Sequence, residues 1–152
     1  MRLKIKTLAL ALMLGSPVAA QAENGLISVK SEFDVNTTAD RLEQVLTEKG
    51  MTIFARVRHS DAAEKVDISL RPTQLLIFGN PRVGSPLIAC AQSVAIDLPQ
   101  KALISRDEDN QVWLTYNDPQ YLAQRHAITG CDEGLGKVEK ALASFARQAT
   151  QP

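Results

Sequence analysis

Hydrophobic and polar residues change their period along this chain in a way that marks out its elements. Ile27, Val29 and Phe33 alternate with Ser28, Lys30 and Glu32, the period of two expected of a half-buried strand. Ala39, Leu42, Val45 and Leu46 then fall on one face of a helix that Asn36 or Thr37 is placed to cap, with Thr37 and Asp40 as a capping-box-like pair and Gly50 as its stop. Alternation returns from Thr52 to His59, with Ile53, Ala55, Val57 and His59 on one side, and Ser60 to Val66 reads as a short helical turn. Leu75 to Phe78 is continuously apolar, which predicts a strand covered on both faces near the middle of a sheet.

Ser85-Pro86 has the form of a cap followed by proline at the first helical position, so a buried helix is expected over Leu87 to Ala91, halted by Asp97-Leu98-Pro99. Ala102 to Arg106 and Val112 to Asn117 flank the polar run Asp107-Glu108-Asp109-Asn110 and predict a hairpin. Asp118-Pro119 caps a short helix ending near His126. A last helix follows Asp132, its start loosened by Gly134 and Gly136, with Leu135, Val138, Ala141, Leu142, Phe145 and Ala149 along one stripe. Strands and helices do not alternate strictly, so the fold class is α+β: a single domain over roughly residues 25–150, with helices packed on one face of a mostly antiparallel sheet.

The first 22 residues are of another kind. Arg2, Lys4 and Lys6 precede the apolar run Thr7 to Leu14, and Ala20-Gln21-Ala22 supplies small residues around a cut after Ala22. That is the pattern of a cleaved secretory signal peptide, and the apolar run is too short to anchor a chain across about 30 Å of hydrocarbon. The expected location is periplasmic or secreted, with no membrane association after cleavage. This reading changes the meaning of the charge. The 152-residue chain has 17 basic and 17 acidic residues, but three of the cations belong to the leader, leaving 14 against 17. A mildly acidic domain with scattered cations is a poor partner for nucleic acid, which needs a basic face.

Several phrases together carry a resemblance: Gly25-Leu26, Phe78-Gly79-Asn80-Pro81, Gly84-Ser85-Pro86-Leu87 and Ala95-Ile96-Asp97-Leu98-Pro99, with His59, Ala62 and Ala63, then Tyr116-Asn117-Asp118-Pro119 and Leu122. In this order they resemble the domain of unknown function 302 family. The resemblance implies a compact α+β domain with a TATA-binding-protein-like arrangement, able to form a homodimer, and no particular activity; a shared fold does not transfer nucleic-acid binding.

Candidate chemistry is sparse. Cys90 and Cys131 are the only cysteines, and in an oxidising compartment a disulfide between them is the favoured reading over unpaired thiols or a metal site. The types His59, His126, Cys90 and Cys131 suit zinc, but their spacing lacks the close pairs of a structural site, so no metal is assigned. Gly79 to Pro86 follows a strand and opens a helix, with glycines spaced as in a phosphate loop. Ser85 and Pro86 stand where that loop needs lysine and a hydroxyl, which leaves no nucleotide or other cofactor. A weaker role remains, in which Asn80, Arg82, Gly84 and Ser85 hold a small anion.

The reading favoured is therefore a non-enzymatic module that binds a small ligand or partner. The alternative is an enzyme centred on His59 with Asn80 and an aspartate, Asp97 foremost and Asp61 or Asp118 otherwise. It requires these groups, with Tyr116, to converge in one pocket.

Overall fold

The computed structural model describes residues 20–22 and 24–152; most of the leader expectation, residues 1–19, lies outside the described residues. Among the described residues six strands form one antiparallel sheet: β1 (Ala20–Ala22), β2 (Leu26–Ser31), β3 (Thr52–Arg58), β4 (Thr73–Gly79), β5 (Gln100–Arg106) and β6 (Val112–Asn117), in the order β1-β2-β6-β5-β4-β3. The helices are α1 (Val35–Glu48), α2 (His59–Glu64), α3 (Pro81–Cys90), α4 (Pro119–Arg125) and α5 (Asp132–Thr150), with a 3-10 helix at Gln92–Ile96. The α+β architecture read from the hydrophobic pattern is the one observed.

Strand alternation sorts the sheet into two faces. Leu76 and Phe78 of β4, Ala102 and Ile104 of β5, and Val112, Leu114 and Tyr116 of β6 are buried against Leu42 and Leu46 of α1 and Leu135, Val138, Leu142 and Phe145 of α5. Their neighbours Leu75, Ile77, Leu103 and Trp113 point to the other face and are only half-buried. The continuous apolar run at 75–78 thus marks a strand with a core face and a half-open apolar face, and β4 lies one strand from the edge rather than at the centre.

Local chemistry explains where elements begin. Asp34, in an extended conformation, caps α1 by accepting hydrogen bonds from the Thr37 N–H at 2.9 Å and the Thr37 hydroxyl at 2.8 Å. Neither Asn36 nor Thr37 holds that position, because both already lie inside the helix; Asp40 pairs with Arg56 at 2.6 Å instead of closing a capping box. His59 is the first residue of α2 and exposed, not the end of a strand. Helix α3 begins a turn earlier than Ser85-Pro86 suggests. Asn80 caps it through the Arg82 N–H at 2.9 Å, Pro81 takes the first helical position, and Pro86 falls inside the helix. The hairpin turn is held by Asp107, which accepts from the N–H groups of Gln111 and Asp109 and from the Trp113 indole at 2.7 Å. Those bonds, the indole's first, hold the Asp107 carboxyl below its usual range.

Gly25 meets two demands at once. Its φ is +75°, and a Cβ there would come within 2.1 Å of the Tyr121 ring. Gly50 shares the left-handed backbone, at φ +71°, with open space around it. Gly50→Ala is therefore expected to cost about 1 kcal/mol of backbone strain, and Gly25→Ala distinctly more, in urea unfolding; equal losses would remove the role assigned to Tyr121.

The cap makes a second prediction. The Thr37 backbone bond, then its hydroxyl, lowers the Asp34 pKa from the ordinary 3.8. A carboxyl lowered by folding stabilises fully above its unfolded value and loses that contribution as pH falls through the lowered one. Asp34→Ala should destabilise the domain by about 1 kcal/mol at neutral pH, and the gap from the parent should shrink in acid; a gap independent of pH would contradict the cap.

Candidate functional site

A cavity opens on the helix side of the sheet. It has a volume of about 500 Å³ and lies where the end of β4, the start of β5, the C-terminus of α1, α3 and the middle of α5 come together. Met51, Leu87, Ile88, Leu98, Val138 and Phe145 give it an apolar wall, Lys49 and Lys137 are the charged groups on its lining, and no aspartate or glutamate contributes.

The Arg41 guanidinium at the middle of α1 donates to carbonyls of Gln148, Ala149 and Gln151, and the Glu32 N–H donates to the Thr150 carbonyl, which ties α1 to the end of α5. Lys49 and Met51, which follow α1, then line the cavity with the middle of α5, and α3, with only Leu87 buried, supplies another wall.

Gln100, the first residue of β5, lines this cavity from the sheet. It is 8% exposed, and among the described residues its carboxamide has no hydrogen-bond partner. Gln74 on the same sheet face is the contrast: it is 4% exposed, accepts from Arg56 Nε at 2.9 Å and donates to Asn36 at 2.6 Å. The Gln100 amide is thus open to the cavity, whereas the Gln74 amide is used inside the protein.

Of the four loop residues proposed for an anion, Asn80, Gly84 and Ser85 line the cavity, while Arg82 is exposed and does not. The backbone donors there are engaged within the turn. Arg82 N–H goes to the Asn80 side chain, Val83 and Gly84 N–H to the Asn80 carbonyl, and Pro81 has none. Asn80 also donates to the Gly50 carbonyl at 3.2 Å, which ties the start of α3 to the loop after α1.

The groups considered for catalysis do not converge. β3 runs away from the cavity, with Thr52 opposite Gly79 and Arg58 opposite Gln74, so His59 lies at the far end of the sheet from Asn80, about 20 Å along the strand. His59 has no side-chain partner among the described residues; Asp61 pairs with Arg58, and Asp118 caps α4. Tyr116 is buried, its phenol raised above 10.0 first by burial and then by the charges of Asp118 and Glu139.

Asp97 instead belongs to a row that the sequence reading did not assemble. Its Oδ2 lies 2.5 Å from His126 Nε2, His126 Nδ1 is 3.0 Å from the Ser93 hydroxyl, and Arg125 approaches Asp97 at 3.3 Å. Serine, histidine and carboxylate in a row is the order of an activated hydroxyl, yet none of the three lines the cavity. What the row does visibly is bind the 3-10 helix to the end of α4. The residues are about 30 positions apart in sequence, so no local motif signals it. Among the described residues, no three histidine, cysteine, aspartate or glutamate side chains are grouped to hold a metal ion.

Cys90, at the end of α3, and Cys131, just before α5, form a disulfide with their Cα atoms 6.5 Å apart. The bond fastens the wall of the cavity to the helix that forms its roof.

A family model described as Domain of unknown function DUF302 matches residues 27–145. The structure is similar to the crystal structure of an uncharacterized conserved DUF302 protein from Bacillus stearothermophilus, with a TM-score of 0.74 over 82% of this chain and 98% of that one, at 18% identity, a likeness of fold. Among curated proteins the chain is 40% identical over 112 residues to a protein named Fluoride-specific ion channel FluC 1 from Brucella suis biovar 1, covering 74% of this chain and 44% of that protein. It is equally similar to one named Fluoride-specific ion channel FluC 2 from Brucella melitensis biotype 1, of which it covers 42%. The chain thus spans less than half the length of these relatives. Among its described residues no helix is long and apolar enough to cross a membrane.

The disulfide closes a loop over a sequence separation of 41, which the chain-entropy relation values at about 4 kcal/mol. Replacing both cysteines by serine is expected to lower the urea midpoint accordingly, and alkylation without reductant should label neither thiol; two labels on the folded protein would remove the bridge.

Proposed function

This chain belongs to the DUF302 family, and we propose that it is an exported, non-enzymatic module that binds a small apolar molecule in the cavity closed by α3. The observation that carries the reading is a cavity of about 500 Å³ with a mainly apolar lining, on which the Gln100 side chain, Asn80, Ser85 and two lysines are the polar groups. That volume is in the range of pockets for drug-sized ligands, and an apolar lining with a few placed polar groups is their common composition. The loop residues Asn80, Gly84 and Ser85 enter as parts of the wall. Export is supported by the charged start, short apolar run and small residues of positions 1–22, and by the bonded Cys90 and Cys131.

The enzymatic alternative has less support, because His59, Asn80 and Asp97 lie in separate places, Asn80 bonded to Gly50 and Asp97 to His126. The relatives' name describes channels as whole chains. More than half of each lies outside the matched region, and a membrane-crossing part of such a protein belongs there. For this chain the association suggests a domain that accompanies solute handling at a membrane without conducting ions itself. A homodimer through the half-open sheet face, where Leu75, Leu103 and Trp113 form an apolar patch, completes the proposal.

Native mass spectrometry of protein released from the periplasm reads every part of this. Expected are a chain beginning after Ala22, a dimer that dissociates on Leu103→Glu, and a small-molecule adduct lost on denaturation. Gly84→Leu fills the cavity, since a Cβ at Gly84 meets only Leu98 at 3.7 Å and its φ is unexceptional; the variant should fold and lack the adduct. An uncut cytoplasmic chain would overturn export, and an adduct unaffected by Gly84→Leu would overturn the assigned site.

A further inference from the structure

We infer that the cavity accepts a single-chain amphiphile with an anionic head, of which an alkyl carboxylate is the representative; this deepens the ligand-binding reading above and rests on it. Three features of the lining point to this class. The first is charge. Lys49 and Lys137 are on the lining and no carboxylate opposes them there. Lys49 has no side-chain partner among the described residues. Lys137 pairs at 2.6 Å with Glu133, a contact one helical turn away with both side chains largely in solvent, which a bound anion displaces at little cost. Both lysines are exposed, so their ammonium groups stand at the mouth while their alkyl stems lie along apolar wall.

The second feature is Gln100. Among the described residues its amide N–H groups donate to no protein acceptor and face the cavity, and a carboxylate is an acceptor that they and the lysines could share. The third is the interior. Met51, Leu98, Val138 and Phe145 offer no polar atom of their side chains except the weakly accepting Met51 sulfur, and the Asn80 carboxamide is engaged by Gly50 and Arg82, so apart from the Ser85 hydroxyl this part of the lining suits hydrocarbon. Gly84 keeps that hydrocarbon space open. Neither positive φ nor crowding requires glycine there, and any larger residue would occupy the cavity. A cationic amphiphile meets like charge at the mouth, and an uncharged one leaves the lysines unused.

Isothermal titration of the disulfide-bonded mature protein with decanoate, decanol and decylamine separates these cases, with circular dichroism confirming that each variant is folded. Decanoate is expected to bind about tenfold more tightly than decanol, and decylamine more weakly than either. Lys49→Gln with Lys137→Gln should erase the advantage of decanoate and leave decanol unchanged, and Gly84→Leu should abolish binding of all three. Decanol or decylamine binding as well as decanoate overturns the anionic head and leaves the apolar ligand site standing. An advantage of decanoate that survives loss of both lysines does the same. Binding of none of the three to the parent protein overturns this inference and the ligand-binding reading with it.

Discussion

The packing of α1 against α5 over one face of the sheet is the interaction on which the rest of the molecule depends. It buries Leu42 and Leu46 from one helix and Val138, Leu142 and Phe145 from the other against Leu76, Phe78, Ile104 and Leu114, and Arg41 ties the middle of α1 to the final carbonyls of α5. The cavity lies beside that contact, between the end of α1, the middle of α5 and α3, which is why its wall is made of core-type residues while the lysines on its lining stay exposed.

Much of this architecture was legible in the residues themselves. The stripe Leu135, Val138, Ala141, Leu142, Phe145 is the buried face of α5, and the polar run at 107–110 is the turn between β5 and β6, because both depend on neighbours in sequence. Starts of helices were less legible. Asp34, Asn36 and Thr37 are all good caps, and the choice among them is made by which residue the chain holds extended; at α3 the same ambiguity between Asn80-Pro81 and Ser85-Pro86 is resolved by the tie from Asn80 to Gly50. The family's residues were visible as phrases, but their roles were not. Asn80 acts as cap and tether, and Asp97 acts through His126.

What sequence could not contain is the site. Gln100 reads as one more polar residue before a strand, and only the packing of the helices over the sheet turns it toward a cavity. The row Ser93, His126, Asp97 is likewise invisible until the 3-10 helix meets α4. The residues that line the cavity come from β3, β4, β5, α3, α5 and the segment after α1, which no spacing rule connects.

The bond between Cys90 and Cys131 has a consequence beyond the stability of the whole. Helix α3 buries a single side chain, so by packing alone it is among the easiest parts of the domain to lift, and it is fastened at one end by Asn80 and at the other by the disulfide. A wall pinned at both ends leaves the shape of the closed cavity to its lining and the frequency of opening to its fastenings. For the ligand proposed above, oxidation of the pair would govern residence time more than affinity. The same contents, held behind the same side chains, would be exchanged slowly in an oxidising space and quickly in a reducing one.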